Sequence, residues 1–244
     1  MPINASLSPI RDADFGPAQT RHLLSRAGYG VTPQGLKQWQ AVSLNKAVDQ
    51  LVDYDAVSLE DLEPADLDPD IIRPLTTEER RAFIKARRDK DLKAQNEFRR
   101  MRVAANAEDR RMHAALQRWW VERLAQTPRP TEERLTMLWH GHFATRHRDV
   151  RDAFLMQQQN AFFREHANGS FADLASGIVQ DPAMIKFLNN DQNKKQRPNE
   201  NLARELMELF TLGEGHYTED DIKQGARALT GYHFDDNEFV LNER

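Results

Sequence analysis

The sequence predicts an all-α fold, an irregular multi-helix bundle of about nine helices with one long charged helical arm. Three observations carry this expectation. Leu, Ala, Arg, Glu and Gln predominate over Val, Ile and Tyr, a composition that favours helix over strand. Apolar residues recur at helical spacing, opened by Ser, Thr or Asp and closed by Gly. Only the tail, Glu238 to Leu241, hints at strand.

The first helix is expected from Pro17 to Ala27, with Leu23, Leu24 and Ala27 apolar and Gly28 and Gly30 ending it. Thr32 and Pro33 read as an N-cap and first helical residue. Two short helices follow, near Gln34 to Ala41 and Leu44 to Val52, the second capped by Ser43. From Asp49 to Asp70 nine carboxylates stand without a Lys or Arg, and Pro64 and Pro69 interrupt any helix, so an exposed acidic loop is expected. From Thr77 to about Gln126 no Gly or Pro intervenes, which predicts a single helix roughly 75 Å long with Glu78 and Glu79 at its positive end. Its second half carries a stripe of Met101, Ala105, Met112, Leu116, Trp119 and Trp120, read as packing.

After the break at Thr127 to Pro130, Thr131 is expected to cap a helix through TEERLTMLWHGHF. Another should span about Val150 to Ala167; Ser170 caps the next, and Asp181 with Pro182 starts a short one. Beyond the polar loop Asn189 to Arg197, Pro198 opens a helix from Asn199 to Leu212. Thr218 and Asp221 make a capping box for Glu219 to Thr230. Residues 1–54 read as an amino-terminal helical subdomain, 55–111 as an insertion-like acidic loop and charged arm, and 112–244 as a helical core.

With 244 residues, 39% of them apolar, the chain can bury a core despite a mean hydropathy of -0.75. The net charge of -4 supplies no global field to gather nucleic acid or an anionic membrane. The absence of cysteine excludes disulfides, thiolate metal sites and a cysteine nucleophile. No window approaches a membrane span, and MPINASLSPIRDADFG has no apolar region behind a basic start, so an untargeted, cytoplasmic chain is the default expectation. Glycines stand singly at helix ends rather than in a phosphate loop, so no nucleotide cofactor is expected. No G-X-S-X-G supports serine hydrolysis.

Chemistry is best sought in two segments. With Leu202 at zero on a helical wheel, Leu206, Leu209 and Phe210 define a buried face, and Asn201, Glu205 and Glu208 lie at about 260°, 300° and 240° on its flank. Two carboxylates at i,i+3 beside apolar surface can bind a divalent cation or divide acid and base roles. Arg204 offers the plainer alternative of an i,i+4 ion pair with Glu208. In Trp139-His140-Gly141-His142-Phe143, His142 shares a face with Leu135, Leu138 and Trp139 while His140 points about 200° away, so one helix cannot bring both rings to one metal. A pocket between these segments would use Glu205, Glu208 and His142 as ligands or acid/base groups, with Asn199, Asn201, Arg204 and Trp139 orienting what binds.

RHLLSRAGYG, LTMLWHGHFAT and DPAMIKFLNNDQNKKQRPNENLARELMELFTLGEGHYTEDDIKQGARALTGY together resemble the bacterial family called domain of unknown function 1800. The resemblance implies a mostly helical protein, often exported and often encoded beside a protein of sulfatase-like fold, and implies no established activity. It also implies that this chain is the amino-terminal portion of a longer protein.

Two functions follow as expectations. One is a metal-binding or acid/base enzyme domain built on that pocket. The other is a helical scaffold without catalytic activity, which recruits a partner or a second copy through the arm of residues 77–126. Between Glu78 and Arg111 twelve Lys/Arg oppose seven Asp/Glu. Nucleic acid is not the expected partner, because aromatic residues for base stacking are sparse there and opposite charges sit at i,i+3 or i,i+4.

Overall fold

A computed structural model describes residues 9–59, 62–64 and 66–242. The amino-terminal stretch through residue 8, Glu60, Asp61, Ala65 and the last two residues lie outside them, and with them the reading of the amino terminus and part of the acidic loop. Among the described residues twelve α-helices and one two-stranded hairpin form a mostly helical fold. No helix there is long and apolar enough to cross a membrane.

Helices α1 (Pro17–Ala27), α2 (Pro33–Trp39) and α3 (Leu44–Val52) match the caps read from sequence: Thr32 accepts from the Gly35 amide and Ser43 from that of Lys46. The expected single arm is instead two helices, α4 (Thr77–Arg88) and α5 (Leu92–Gln126). Lys90 takes a positive φ of 54° and Asp91 caps the new helix on the Ala94 amide. The chain therefore doubles back. Phe83 meets the edge of Phe98 at 5.4 Å and Gln95 donates to the Ala86 carbonyl, contacts that reward the reversal more than one continuous rod exposing both rings. Met101, assigned to a packed stripe, is half exposed in consequence.

Helix α6 (Pro130–His142) starts at Pro130, with Arg129 rather than Thr131 at the N-cap position; the Thr131 hydroxyl is buried and has no hydrogen-bond partner among the described residues. A short α7 (His147–Val150) precedes α8 (Ala153–Glu165), which begins three residues later than expected because the Asp152 carboxylate caps the Leu155 amide. Ser170 occupies the N-cap position of α9 (Phe171–Ile178) without making the side-chain bond. Asp181 caps α10 (Pro182–Phe187) on Met184. Helix α11 (Asn201–Glu205) starts two residues after the expected position, since the Asn199 side chain accepts from the Asn201 amide in a turn, and it runs into a π turn (Leu206–Thr211). Helix α12 (Glu219–Ala228) has the expected Thr218–Asp221 capping box. The tail forms a hairpin of β1 (Tyr232–Asp235) and β2 (Glu238–Leu241), of which the sequence showed only the second strand.

The apolar core lies where the end of α6 meets α8, α9, α10 and α11. Phe143, fully buried, stacks at 5.9 Å on Phe163 and meets the edge of Phe210 at 5.2 Å, with Leu174, Ile178, Met184 and Leu202 around them. Truncating a buried Phe typically costs about 3–5 kcal/mol, so this ring cluster fixes the carboxyl-terminal helices.

The hairpin closes through Gly231, whose φ is +91 and whose added Cβ would stand 2.4 Å from the Asn242 carbonyl oxygen. Gly30 has φ +99 with nothing within 4 Å of that position. Gly30→Ala should therefore cost only left-handed strain, about 1 kcal/mol, while Gly231→Ala adds a backbone collision and should cost at least about 2 kcal/mol. Urea denaturation of the two variants side by side checks the difference; equal losses would contradict it.

Candidate functional site

The buried face of α6 is polar. Glu132, Glu133 and Thr136 are buried, His140 follows one turn later, and Met137 and Leu138 on the other side are 39% and 54% exposed. This corrects the face drawn through Leu135, Leu138, Trp139 and His142, which follows apolar identity and places Leu138 inward. The reason lies on α5, whose buried residues are Asp109 and Arg123.

Glu133, 0% exposed, is held from three directions. Arg123 Nε donates to its Oε1, Arg164 Nε donates to the same oxygen at 2.7 Å, and Trp120 Nε1 donates to Oε2 at 2.8 Å. Arg123 also reaches Glu132 at 3.1 Å and the Leu62 carbonyl at 2.9 Å, where Trp119 Nε1 donates as well. The Arg164 guanidinium lies 5.2 Å from the Trp119 ring centre, a cation–π contact. Burial pushes the Glu133 carboxyl upward, but Arg164 and Arg123 outweigh it and hold the group below the ordinary carboxylate range.

Arg164 links this carboxylate to His140. Its guanidinium donates to Asn160 Oδ1 at 2.7 Å, which turns the Asn160 amide nitrogen toward His140 Nε2 at 3.0 Å. That ring nitrogen accepts, so the imidazole is neutral with its proton on Nδ1. Burial, then the nearby Arg164 cation, lower the His140 pKa to about 4.

A second polar anchor lies along α5. The Asp109 carboxylate accepts from His147 Nε2 at 2.9 Å and from the Ala153 amide at 2.6 Å, and His113 stacks on His147 at 3.8 Å. Burial, foremost, lowers the His113 pKa. The acidic loop docks mainly through backbone carbonyls: Arg129 Nε donates to Val57 at 2.6 Å and its NH2 to Asp55 at 3.2 Å.

The residues read as a site from sequence are distributed as follows. His142, half-buried, places Nε2 2.9 Å from the Phe210 carbonyl oxygen and packs among Trp139, Phe143 and Phe171. The two motif helices therefore do meet, through rings and one hydrogen bond. Trp139 donates its indole N–H to the Ala167 carbonyl at 2.9 Å. Asn199 donates to the Asn189 carbonyl and accepts from Asn201, bracing the start of α11, and Asn201 is exposed. Arg204 forms a two-bond pair with Glu219, both at 2.9 Å, and reaches Glu200 at 3.1 Å; this replaces the expected pair with Glu208. Glu205 and Glu208 are half-buried, and burial, then the nearby Glu208, raise the Tyr217 pKa.

The π turn alters the wheel. With i→i−5 bonds each residue advances roughly 80° rather than 100°, which turns Leu209 out to 62% exposure, keeps Phe210 inward and moves Glu208 off the Glu205 column. Among the described residues no group of three or more His, Asp or Glu is placed to hold one metal ion.

Fold and polar interior together define a class: a mostly helical protein whose long central helix is fastened to its neighbours by buried ion pairs. The chain matches, over residues 22–244, the model of the family described as protein of unknown function (DUF1800), and it belongs to that family. No curated protein and no solved structure matches it.

The depressed His140 pKa sets an acid limb of stability. Above pH 6.5 the ring is neutral in both states; as pH falls toward about 4 the unfolded chain takes up the proton first, and stability falls by up to about 3 kcal/mol. Asp181, raised to about 7 by burial, works in the opposite sense over an overlapping range, its share being lost as pH rises. Measuring unfolding free energy against pH for the parent and His140→Gln cancels Asp181, since both proteins contain it. The difference should rise with pH between about 4 and 6.5; a flat difference would mean that His140 is not held neutral.

Proposed function

We propose that this chain is a helical scaffold that presents the α4–α5 arm to an acidic protein partner. The observation that carries the reading is the solvent face of α5. Leu92, Val103 and Val121 are 72%, 58% and 65% exposed, and with Ala114 they fall within about 40° of one another around the helix. Within about 60° of that stripe lie Arg99, Arg100, Arg110 and Arg118 and no Asp or Glu. Val103, Ala107, Ala114 and Val121 follow the four- and seven-residue spacing of a helix-docking seam, and the small alanines allow close approach.

The arm's aromatic residues are engaged inside the chain: Phe83 with Phe98, Trp119 with Leu62 and Arg164, Trp120 with Glu133. That leaves no stacking platform for nucleic acid, while an amphipathic helix with carboxylates beside its apolar stripe complements the face in both respects. The test is a photo-crosslinking side chain at Val121, with Val52 on α3 as the control position, expressed in the native cell. A single discrete adduct from position 121, lost in Arg110→Glu/Arg118→Glu, is expected. An adduct of two copies would replace the partner by self-association, and the same adducts from both positions would remove the docking face.

A second reading rests on the π turn, because such turns recur at functional sites and this one carries Glu208 beside the helix that holds His142. There Glu205 and Glu208, with His142 bonded to the Phe210 carbonyl of the same turn, would act as acid and base, or would take a divalent metal only by rearranging, since the three are not placed around one ion. Elemental analysis after desalting distinguishes it: stoichiometric metal in the parent, absent from folded Glu205→Gln and Glu208→Gln, would favour it over the scaffold.

A further inference from the structure

Leu209 and Phe210 compete for one place in the core. On a wheel with Leu202 at zero, a continuous α-helix would bring Leu209 within about 20° of the centre of the buried face and leave Phe210 about 80° away, at its edge. The π turn (Leu206–Thr211) advances roughly 80° per residue, which carries Phe210 to the centre and turns Leu209 about 80° off it. Exposure follows the second arrangement: Phe210 is 4% exposed and Leu209 62%. The Phe210 ring meets the edge of Phe143 at 5.2 Å, while Leu209 and Leu212 face solvent.

Each register has its own support. A π turn gives up the tighter i→i−4 ladder, and here side chains make up for it. Thr211 Oγ1 donates to the Leu206 carbonyl at 2.6 Å, and His142 Nε2 donates to the Phe210 carbonyl at 2.9 Å. The Leu212 and Gly213 amides both fall on the Met207 carbonyl at 3.0 Å. An α register would restore the ladder and bury Leu209 in place of Phe210, one large apolar side chain for another, so the two registers are separated by a small difference of large terms. The chain on either side can absorb the change. Gly213 and Gly215 have φ +80 and +85, and a Cβ added at either would meet nothing within 4 Å, so close packing holds neither in place. Met207, one step into the turn, would rotate by only about 20° and keep its place against Ala203, Ile222 and Ala226.

We propose that residues 206–211 form a two-state device, exchanging between the π register, with Phe210 in the core, and an α register in which Leu209 takes that place. His142 is the latch of the π register, because it bonds the carbonyl of the residue that leaves. The exchange changes the surface as well as the core. In the α register Leu209 leaves the surface and Glu208 stands about 60° from Glu205 around the helix, against about 100° in the π register. The device stands on packing alone, and neither functional reading is needed for it.

Relaxation dispersion of leucine methyl and backbone amide signals in the whole chain tests it. A minor state of about 0.1–10%, exchanging on the μs–ms scale, is expected at Leu209 and at the amides of residues 207–213, and not at Leu24 on α1. Phe210→Ala empties the place in the core, and the Leu209 methyl protons should then contact the Phe143 ring, which they do not reach in the π register. His142→Phe removes the latch bond and should raise the minor population about two- to tenfold. Leu209→Asn, at an exposed position, should abolish the dispersion without lowering the melting temperature, since the α register would then have to bury an amide. Flat profiles in the parent would overturn the proposal. So would dispersion unchanged by Leu209→Asn, or Leu209 methyls that stay away from Phe143 in folded Phe210→Ala.

Discussion

The packing of α5, α6 and α8 depends on one carboxylate, Glu133, held ionised where no solvent reaches it. A buried anion is tolerated only if its charge and its lone pairs are met, and here Arg123 from α5, Arg164 from α8 and the Trp120 indole meet them together. Removing one partner of such a pair costs about 3–5 kcal/mol, because the remaining charge is left unmatched. The three helices are thereby fixed in rotation as well as in distance. Tyr29 after α1 donates to the Glu133 backbone carbonyl, and the Leu62 carbonyl receives Arg123 and Trp119, so the amino-terminal helices and the acidic loop are oriented by residues of the same cluster.

The apolar core completes what the charges begin. Phe143 ends α6, the helix that carries Glu133, and its ring neighbours Phe163 and Phe210 lie on α8 and the π turn. Helix α8 thus bears both Arg164 and Phe163, and a shift that broke one contact would strain the other. The candidate docking face lies outside this frame, on the solvent side of α5, whose other side carries the buried Asp109 and Arg123.

Much of the fold was legible because helix ends are written in single residues. Thr32, Ser43, Asp181 and Thr218 each cap as their chemistry dictates, and the interaction is local. What was hidden depends on distant partners. The reversal at Lys90 requires neither Gly nor Pro, and it is decided by Phe83 finding Phe98. The polar face of α6 reads as a solvent face, since Glu132 and Glu133 at a helix start are usually there for the dipole; only Arg123, on the other side of the TPRP turn, and Arg164, 31 residues on, make them interior. Of the candidate site, the meeting of the two motif helices was readable from their apolar residues. The arrangement of Glu205 and Glu208 was not, because a π turn changes the angular step and leaves no mark in residue type.

Helix α5 is anchored twice, by Asp109 to the start of α8 and by Arg123 to α6, fourteen positions apart and within about 40° on one face. A single insertion between those anchors would rotate one against the other by about 100°, and no side-chain adjustment restores both. An insertion at the turn at Lys90 disturbs only the Phe83–Phe98 and Gln95–Ala86 contacts beside it and leaves Asp109 and Arg123 in phase. Length variation within this helical pair is therefore channelled to its tip, where residues can be added or lost while both anchors stay in register.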